Sequence, residues 1–139
     1  MKKIILFLVS ISILFSTCTV FAETMYTDLT PDDDCYKHVK RLTDFGFISG
    51  YEDGTYKPER YVTRAETAKL MCVALNEQGG KGNLEFTDVP DEHWAYDFIC
   101  SLAAKRLIEG YDDGTFRPDD TITYSEFLKI LVSTIGYGD

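Results

Sequence analysis

A chain of 139 residues with 23 acidic against 14 basic side chains, a formal net charge of −9, repels nucleic acid and anionic lipid at long range. An acidic partner of such a chain has to be gripped by a few focal cations rather than by a general field. Nucleic-acid binding is excluded on that ground, and the four cysteines stand at spacings that fit neither a zinc site nor a CxxC redox motif.

Residues 1–22 have the three parts of a secretory signal: Lys2 and Lys3, an apolar run from Ile4 to about Phe15, and a small-residue site at Val20-Phe21-Ala22. Cleavage before Glu23 is expected. It leaves one domain's length of chain, and a net charge near −11 because both lysines depart with the signal. Retained instead, the stretch Ile4–Ala22 would hold the chain on a membrane, and a lipid on Cys18 is a third route to the same outer face. Cys35, Cys72 and Cys100 remain after cleavage. They read either as small buried apolar residues or, for Cys72 and Cys100, as a disulfide between facing helices that export would permit.

An internal repeat organises the rest of the chain. A shift of 60 residues aligns Tyr26–Asn76 with Phe86–Gly136 without a gap, and 14 of the 51 pairs are identical. The units run over residues 23–78 and 85–139, joined by a Gly-rich linker at 79–84 that is flexible by composition. Each reads as helix, structured loop, helix. The acidic run Asp32-Asp33-Asp34 is expected to mark the start of the first helix, its charges favoured by the helix dipole. Cys35, Val39 and Leu42 then fall at helical spacing, as do Ala95, Ile99 and Leu102 in the second unit, and are predicted core.

The loops Gly50-Tyr51-Glu52-Asp53-Gly54-Thr55-Tyr56-Lys57-Pro58 and Gly110-Tyr111-Asp112-Asp113-Gly114-Thr115-Phe116-Arg117-Pro118 are predicted to be rigid. Asp-Gly supplies a positive-φ turn, the following aromatic folds back onto the core, and Pro stops further pairing. The next helices open with Thr63-Arg64-Ala65-Glu66 and Thr123-Tyr124-Ser125-Glu126, each a capping box. Both helices are apolar nearly all round, so each is expected to be buried between neighbours and the two units to pack as one all-α domain.

These residues resemble the S-layer homology domain. The second unit carries its pattern in Phe86-Thr87-Asp88-Val89, Trp94, Gly110, Asp113-Gly114-Thr115-Phe116, Pro118 and Ile122-Thr123. The first carries Tyr26-Thr27-Asp28-Leu29, Gly50, Asp53-Gly54-Thr55-Tyr56, Pro58 and Val62-Thr63-Arg64-Ala65-Glu66. The resemblance implies a secreted, cell-wall-associated, non-enzymatic module that binds a secondary cell-wall polymer, often a pyruvylated glycan, without a cofactor. It also implies a three-repeat prism with grooves between units, which two visible repeats complete only by association of chains. The Arg of the second-helix motif is implied to reach the acidic group; that residue is Arg64 here, and its counterpart is Tyr124.

The candidate ligand-binding residues are therefore Arg64, Lys57, Gly50, Trp94 and Arg117. Arg64 follows a helix N-cap, where its planar fork would hold a carboxylate at the positive end of the helix dipole. The plainer alternative is a surface Arg paired with Glu66 or Asp53. Lys57 and Arg117 flank their loops and are either groove cations or solvated ones. Trp94 suits a sugar platform or, in its more frequent role at such a position, a core plug. Gly50 is first a backbone-geometry residue and only then a source of room for ligand. An EF-hand reading of the DGT loops fails because Tyr56 and Phe116 stand where oxygen ligands are needed. Cys35 and His38 share a helix face, but no third orienting group or oxyanion donor accompanies them.

Overall fold

The computed structural model describes residues 25–77, 79–80 and 86–136, so the expected signal segment, Cys18 and most of the linker lie outside the described residues. Four helices occur among them: α1 (Tyr36–Asp44), α2 (Arg64–Ala74), α3 (Tyr96–Ala104) and α4 (Tyr124–Thr134). The architecture is all-α, two helix–loop–helix units in tandem. None of these helices is long and apolar enough to cross a membrane.

Each loop is rigid for reasons that lie in its own sequence. Asp53 Oδ1 accepts the Thr55 N–H at 3.1 Å and the Thr55 hydroxyl at 2.5 Å, and Asp113 does the same for Thr115 at 3.0 and 2.6 Å. Gly54 and Gly114 take the required positive φ, 77° and 80°. The start of each repeat then clamps the loop from outside. Both Asp28 oxygens accept N–H groups at 2.7 Å, from Tyr56 and Lys57, and both Asp88 oxygens accept those of Phe116 and Arg117 at 2.7 Å. These bonds hold Lys57 and Arg117 in the left-handed region, at φ 59° and 57°. Behind the clamp Tyr26 packs on Tyr56 with ring centroids 5.5 Å apart, and Phe86 on Phe116 at 5.4 Å.

Both second helices carry the full capping box, Thr63 with Glu66 and Thr123 with Glu126. The repeats share one core: Ala65, Ala68, Met71 and Cys72 of α2 pack with Ala95 at the head of α3, with Ile99 and Leu102 of α3, with Phe116 and with Ile130 of α4. A smaller cluster of Tyr26, Leu29 and Val39 lies under the first loop. Backbone bonds stitch the units together as well. Arg64 N–H donates to Asp120 O at 2.9 Å, Ala65 N–H to Pro118 O at 2.9 Å and Ile122 N–H to Val62 O at 3.0 Å. Cys72 and Cys100 are buried thiols, and the Cys72 Sγ–H donates to the Phe98 carbonyl at 3.4 Å.

Two expectations need correction. Leu42 is 40% exposed although its counterpart Leu102 is fully buried, because α2 covers α3 and no described helix covers α1 in the same way. For the same reason α4 is not buried all round. Leu128, Val132 and Ile135 are exposed where the α2 counterparts of the first two, Ala68 and Cys72, lie in the shared core. The acidic run stands directly ahead of α1, whose N-cap is Cys35, and no acid enters the first turn itself. Within the run Asp33 also closes a local turn, accepting the Thr30 N–H at 2.7 Å and the Thr30 hydroxyl at 2.8 Å.

Candidate glycan cleft

Arg64 is the one expected site residue that lies in a cleft. It is only 7% exposed, and its side chain leaves its own repeat altogether. Nε donates to the Phe116 carbonyl at 2.8 Å, one terminal nitrogen to the Glu109 carbonyl at 3.1 Å and the other to Glu126 Oε1 at 3.1 Å. The guanidinium carbon stands 4.9 Å from the Tyr111 ring centroid and 4.6 Å from that of Phe116. Neither an open anion receptor nor a surface pair with Glu66 or Asp53 describes this geometry. Three of five N–H donors are spent on pinning the repeats together, which leaves two for a ligand.

The start of α2 has no free N–H groups to draw an anion to Arg64. Thr63 N–H donates to Glu66 at 2.8 Å and Glu66 N–H to Thr63 Oγ1 at 3.2 Å, while the N–H groups of Arg64 and Ala65 go to Asp120 and Pro118. All four N-terminal donors of α2 are satisfied by protein, so no anion is invited there.

What Arg64 enters is a cleft of about 180 Å³ between the Arg106–Tyr111 segment and α4. Arg64 is the sole contribution of the first repeat to its lining. The remaining polar lining is Arg106, Glu109, Tyr111, Glu126, Lys129 and Ser133, over a floor that includes Ile108 and Ile130. Three cations thus face two carboxylates on an otherwise acidic protein. Lys129 Nζ reaches Glu109 at 3.0 Å across the mouth, with both side chains mostly in solvent. Glu126 is held below the ordinary carboxylate range, chiefly by the Thr123 hydroxyl and N–H, with Arg64 adding attraction. It is therefore a fixed anion that orients Arg64.

Sequence reasoning missed Arg106 and Lys129. For Arg106 a signal existed. Each helix ends with one left-handed residue in the same register: Gly46 at φ 75°, Asn76 at 56°, Arg106 at 59° and Gly136 at 87°. Gly and Asn accept that conformation readily, whereas Arg carries steric strain there. The odd residue out lines the cleft.

The other expected residues lie elsewhere. Arg117 pairs with Asp113 at 2.8 Å and lies over the Tyr111 ring at 4.0 Å, so it borders the cleft across that ring. Lys57 pairs with Asp53 at 2.8 Å and lies over Tyr51 at 4.3 Å, in the first repeat and outside the lining of the Arg64 cleft. Gly50 provides no room for ligand, because a Cβ there would overlap the Tyr26 ring and the Thr55 carbonyl. Trp94 is neither core nor cleft. It is 54% exposed and stacks on His93 at 5.7 Å, while His93 Nδ1 accepts the Ala95 N–H at 3.1 Å as a helix-start cap.

The family described as S-layer homology domain matches residues 26–68 and 85–128. The chain is 34% identical over 122 residues to the Middle cell wall protein of Brevibacillus brevis, covering 84% of this chain and 12% of that protein. It is 33% identical over 120 residues to the Surface layer protein of Brevibacillus choshinensis, covering 84% and 11%. To the Cellulosome-anchoring protein of Acetivibrio thermocellus it is 41% identical over 88 residues, covering 60% and 20%. The chain thus spans a fifth or less of the length of these relatives.

Proposed function

The chain belongs to the S-layer homology domain family, and from that premise we propose that it holds its protein at the cell surface by binding an acidic cell-wall polysaccharide. The binding is non-covalent and the module performs no catalysis. The observation that carries this reading is the cleft itself: Arg64, Arg106 and Lys129 converge on one small cavity in a chain whose net charge is −9. Relatives whose names place them in cell walls, surface layers and cellulosome anchoring support the location.

The cleft selects by size and charge. It is smaller than the ~300–1,000 Å³ of sites that enclose drug-sized ligands, so it takes one sugar residue with its acidic substituent and leaves the rest of the polymer outside. A carboxylate such as that of a pyruvate ketal would meet the two remaining Arg64 donors deep in the cleft, and Arg106 and Lys129 at its mouth. Tyr111 borders the sugar with its ring edge and hydroxyl, since Arg64 and Arg117 both stand over the ring. Titration calorimetry of the chain with soluble acidic wall polymer tests this. Arg106→Glu combined with Lys129→Glu is expected to abolish the heat of binding with the fold intact, and unchanged binding would refute the cleft as the site.

A second reading, self-association, is favoured by the exposed apolar stripe of Leu128, Val132 and Ile135 on α4. Under it, a second chain covers the face that α3 covers on α2. A molecular mass that doubles with concentration in light scattering, and reverts to monomer in Val132→Lys, would support it; a concentration-independent monomer would remove it.

A further inference from the structure

The junction between the repeats leaves an unused half on each of them. Within the chain, Arg64 and Ala65 at the start of α2 donate their N–H groups to the Asp120 and Pro118 carbonyls, and Ile122 N–H donates back to Val62 O. At the start of α4 the equivalent N–H groups, of Tyr124 and Ser125, have no protein acceptor among the described residues. In the first repeat the equivalent Pro58 and Arg60 carbonyls accept no N–H among the described residues, and the Val62 N–H meets no acceptor. Burial follows the same division: Arg64, Ala65 and Pro118 are buried by the junction, whereas Tyr124, Ser125 and Pro58 are exposed. So do the helices. α2 covers Leu102 of α3, and Glu77 just beyond α2 pairs with Lys105 at 3.0 Å. The counterparts of Leu102 and Lys105 are Leu42 and Phe45, both exposed, while α4 exposes Leu128, Val132 and Ile135. Each chain therefore carries both halves of one contact, and both are open.

The side chains at the centre of these halves say which partner fits. Arg64 crosses the internal junction to Glu126 and stands over Tyr111. Its counterpart Tyr124 is a neutral ring, 78% exposed, and the equivalent place in a first repeat is already filled. There Arg60 pairs with Glu66 at 2.5 Å and stands 5.2 Å over the Tyr51 ring, although position 60 aligns with Asp120. An arginine at 124 would bring a second guanidinium to that one carboxylate. A tyrosine brings a ring for Arg60 to face. The two departures from exact duplication, Arg for Asp at 60 and Tyr for Arg at 124, thus compensate each other only where the second repeat of one copy meets the first repeat of another. We infer that a second copy of this chain docks head to tail, with its Arg60 facing Tyr124 and its α1 on the stripe of Leu128, Val132 and Ile135. This rests on the self-association reading for the contact, and adds its polarity, the opposing face and the residue pair that selects it.

Two properties follow from the geometry. The contact is heterologous, since each copy uses its α4 face toward one neighbour and its α1 face toward the other, so association does not stop at two. The contact also lacks the three hydrogen bonds by which Arg64 pins the internal junction. It is therefore the weaker of the two junctions, and it forms and dissolves with concentration.

Sedimentation velocity of the full chain over a wide range of concentration tests the inference, and the mass is expected to rise past that of a dimer. Tyr124→Arg, which sets two guanidiniums against Glu66, should weaken association about tenfold or more. Tyr124→Phe should retain it, and Tyr124→Arg combined with Arg60→Asp, which copies the internal pair, should restore it. Mixing reads the polarity. Leu42→Lys spoils only the α1 face and Val132→Lys only the α4 face, both at exposed positions that the fold tolerates. Each variant alone should stay monomeric, and an equimolar mixture should form dimers and stop there. A Leu42→Lys chain that still dimerises alone would show α4 pairing with α4, and undiminished association of Tyr124→Arg would show that Arg60 and Tyr124 do not meet. Either result overturns head-to-tail docking and leaves self-association standing. A parent chain that stays monomeric at every concentration overturns both.

Discussion

Replacing Arg106 by Gly separates stability from binding. Arg106 ends α3 at φ 59°, where its N–H donates to the Ala103 carbonyl and the next N–H, of Leu107, to the Leu102 carbonyl, both at 2.9 Å. An L-residue in the left-handed region costs about 1–2 kcal/mol. Gly removes that strain but loosens the unfolded chain by about 0.4–1 kcal/mol. The net expectation is a gain of about 0.5–1 kcal/mol, a rise in Tm of about 4 °C for a domain of this size. Binding should move the other way. Loss of one charge-assisted hydrogen bond to a carboxylate is worth about 1.5–3 kcal/mol, so affinity for acidic wall polymer should fall about 10- to 100-fold. Asn76→Gly, at the equivalent end of α2 and outside the cleft, is the control and should leave binding unchanged. Calorimetric melting and a binding titration on the same preparations read both effects. A stabilised Arg106→Gly chain that binds like the parent would show that Arg106 is a strained helix end and nothing more, and a destabilised one would show that the strain argument itself is wrong.

Arg64→Ala should cost about 2–4 kcal/mol, because it leaves the buried Phe116 carbonyl, the half-buried Glu109 carbonyl and Glu126 without their partner, whereas Tyr124→Ala at the aligned, exposed position should stay within about 0.5 kcal/mol; urea unfolding measures both. Leu102→Ala should destabilise by about 3 kcal/mol and Leu42→Ala by less than about 1, and equal losses would mean that α1 is covered after all. Asp53 and Asp113 are pushed down to about 2, the first by Lys57 and then Thr55, the second by Thr115 and then Arg117. Because the folded values lie below the ordinary carboxylate value of 3.8, the stabilisation is complete above that pH and is lost as pH falls toward 2. The urea midpoint should therefore drop over that interval and drop less in Asp53→Asn combined with Asp113→Asn. A thiol reagent should modify Cys35 quickly and Cys72 and Cys100 only on unfolding, since burial also pushes the Cys72 thiol up.

Local chemistry is legible in the sequence and cross-repeat chemistry is not. The Asp-Gly turns and the Thr–Glu capping boxes act within five residues, so their residue types announce them. The clamp by Asp28 and Asp88 acts across 28 and 29 residues, yet the identical Thr-Asp pair at the head of each repeat is a readable trace of it. Arg64 stands out for its residue type, but its surroundings are hidden. Its partners lie 45 to 62 residues away, and nothing local reveals that they consume three donors and that the helix start beside it is already capped. Leu42 misleads for the complementary reason. Periodicity assigns a face to a helix, but whether that face is covered depends on a neighbouring helix, which α3 has in α2 and α1 lacks among the described residues.

Co-sedimentation of the chain with purified wall material, native and after mild acid removal of its acidic ketal substituents, tests the central claim most directly. The cleft chemistry predicts that the chain pellets with native walls and stays in solution with stripped ones, with Arg106→Glu combined with Lys129→Glu soluble in both. Equal pelleting with native and stripped material would contradict recognition of an acidic saccharide by the Arg64 cleft.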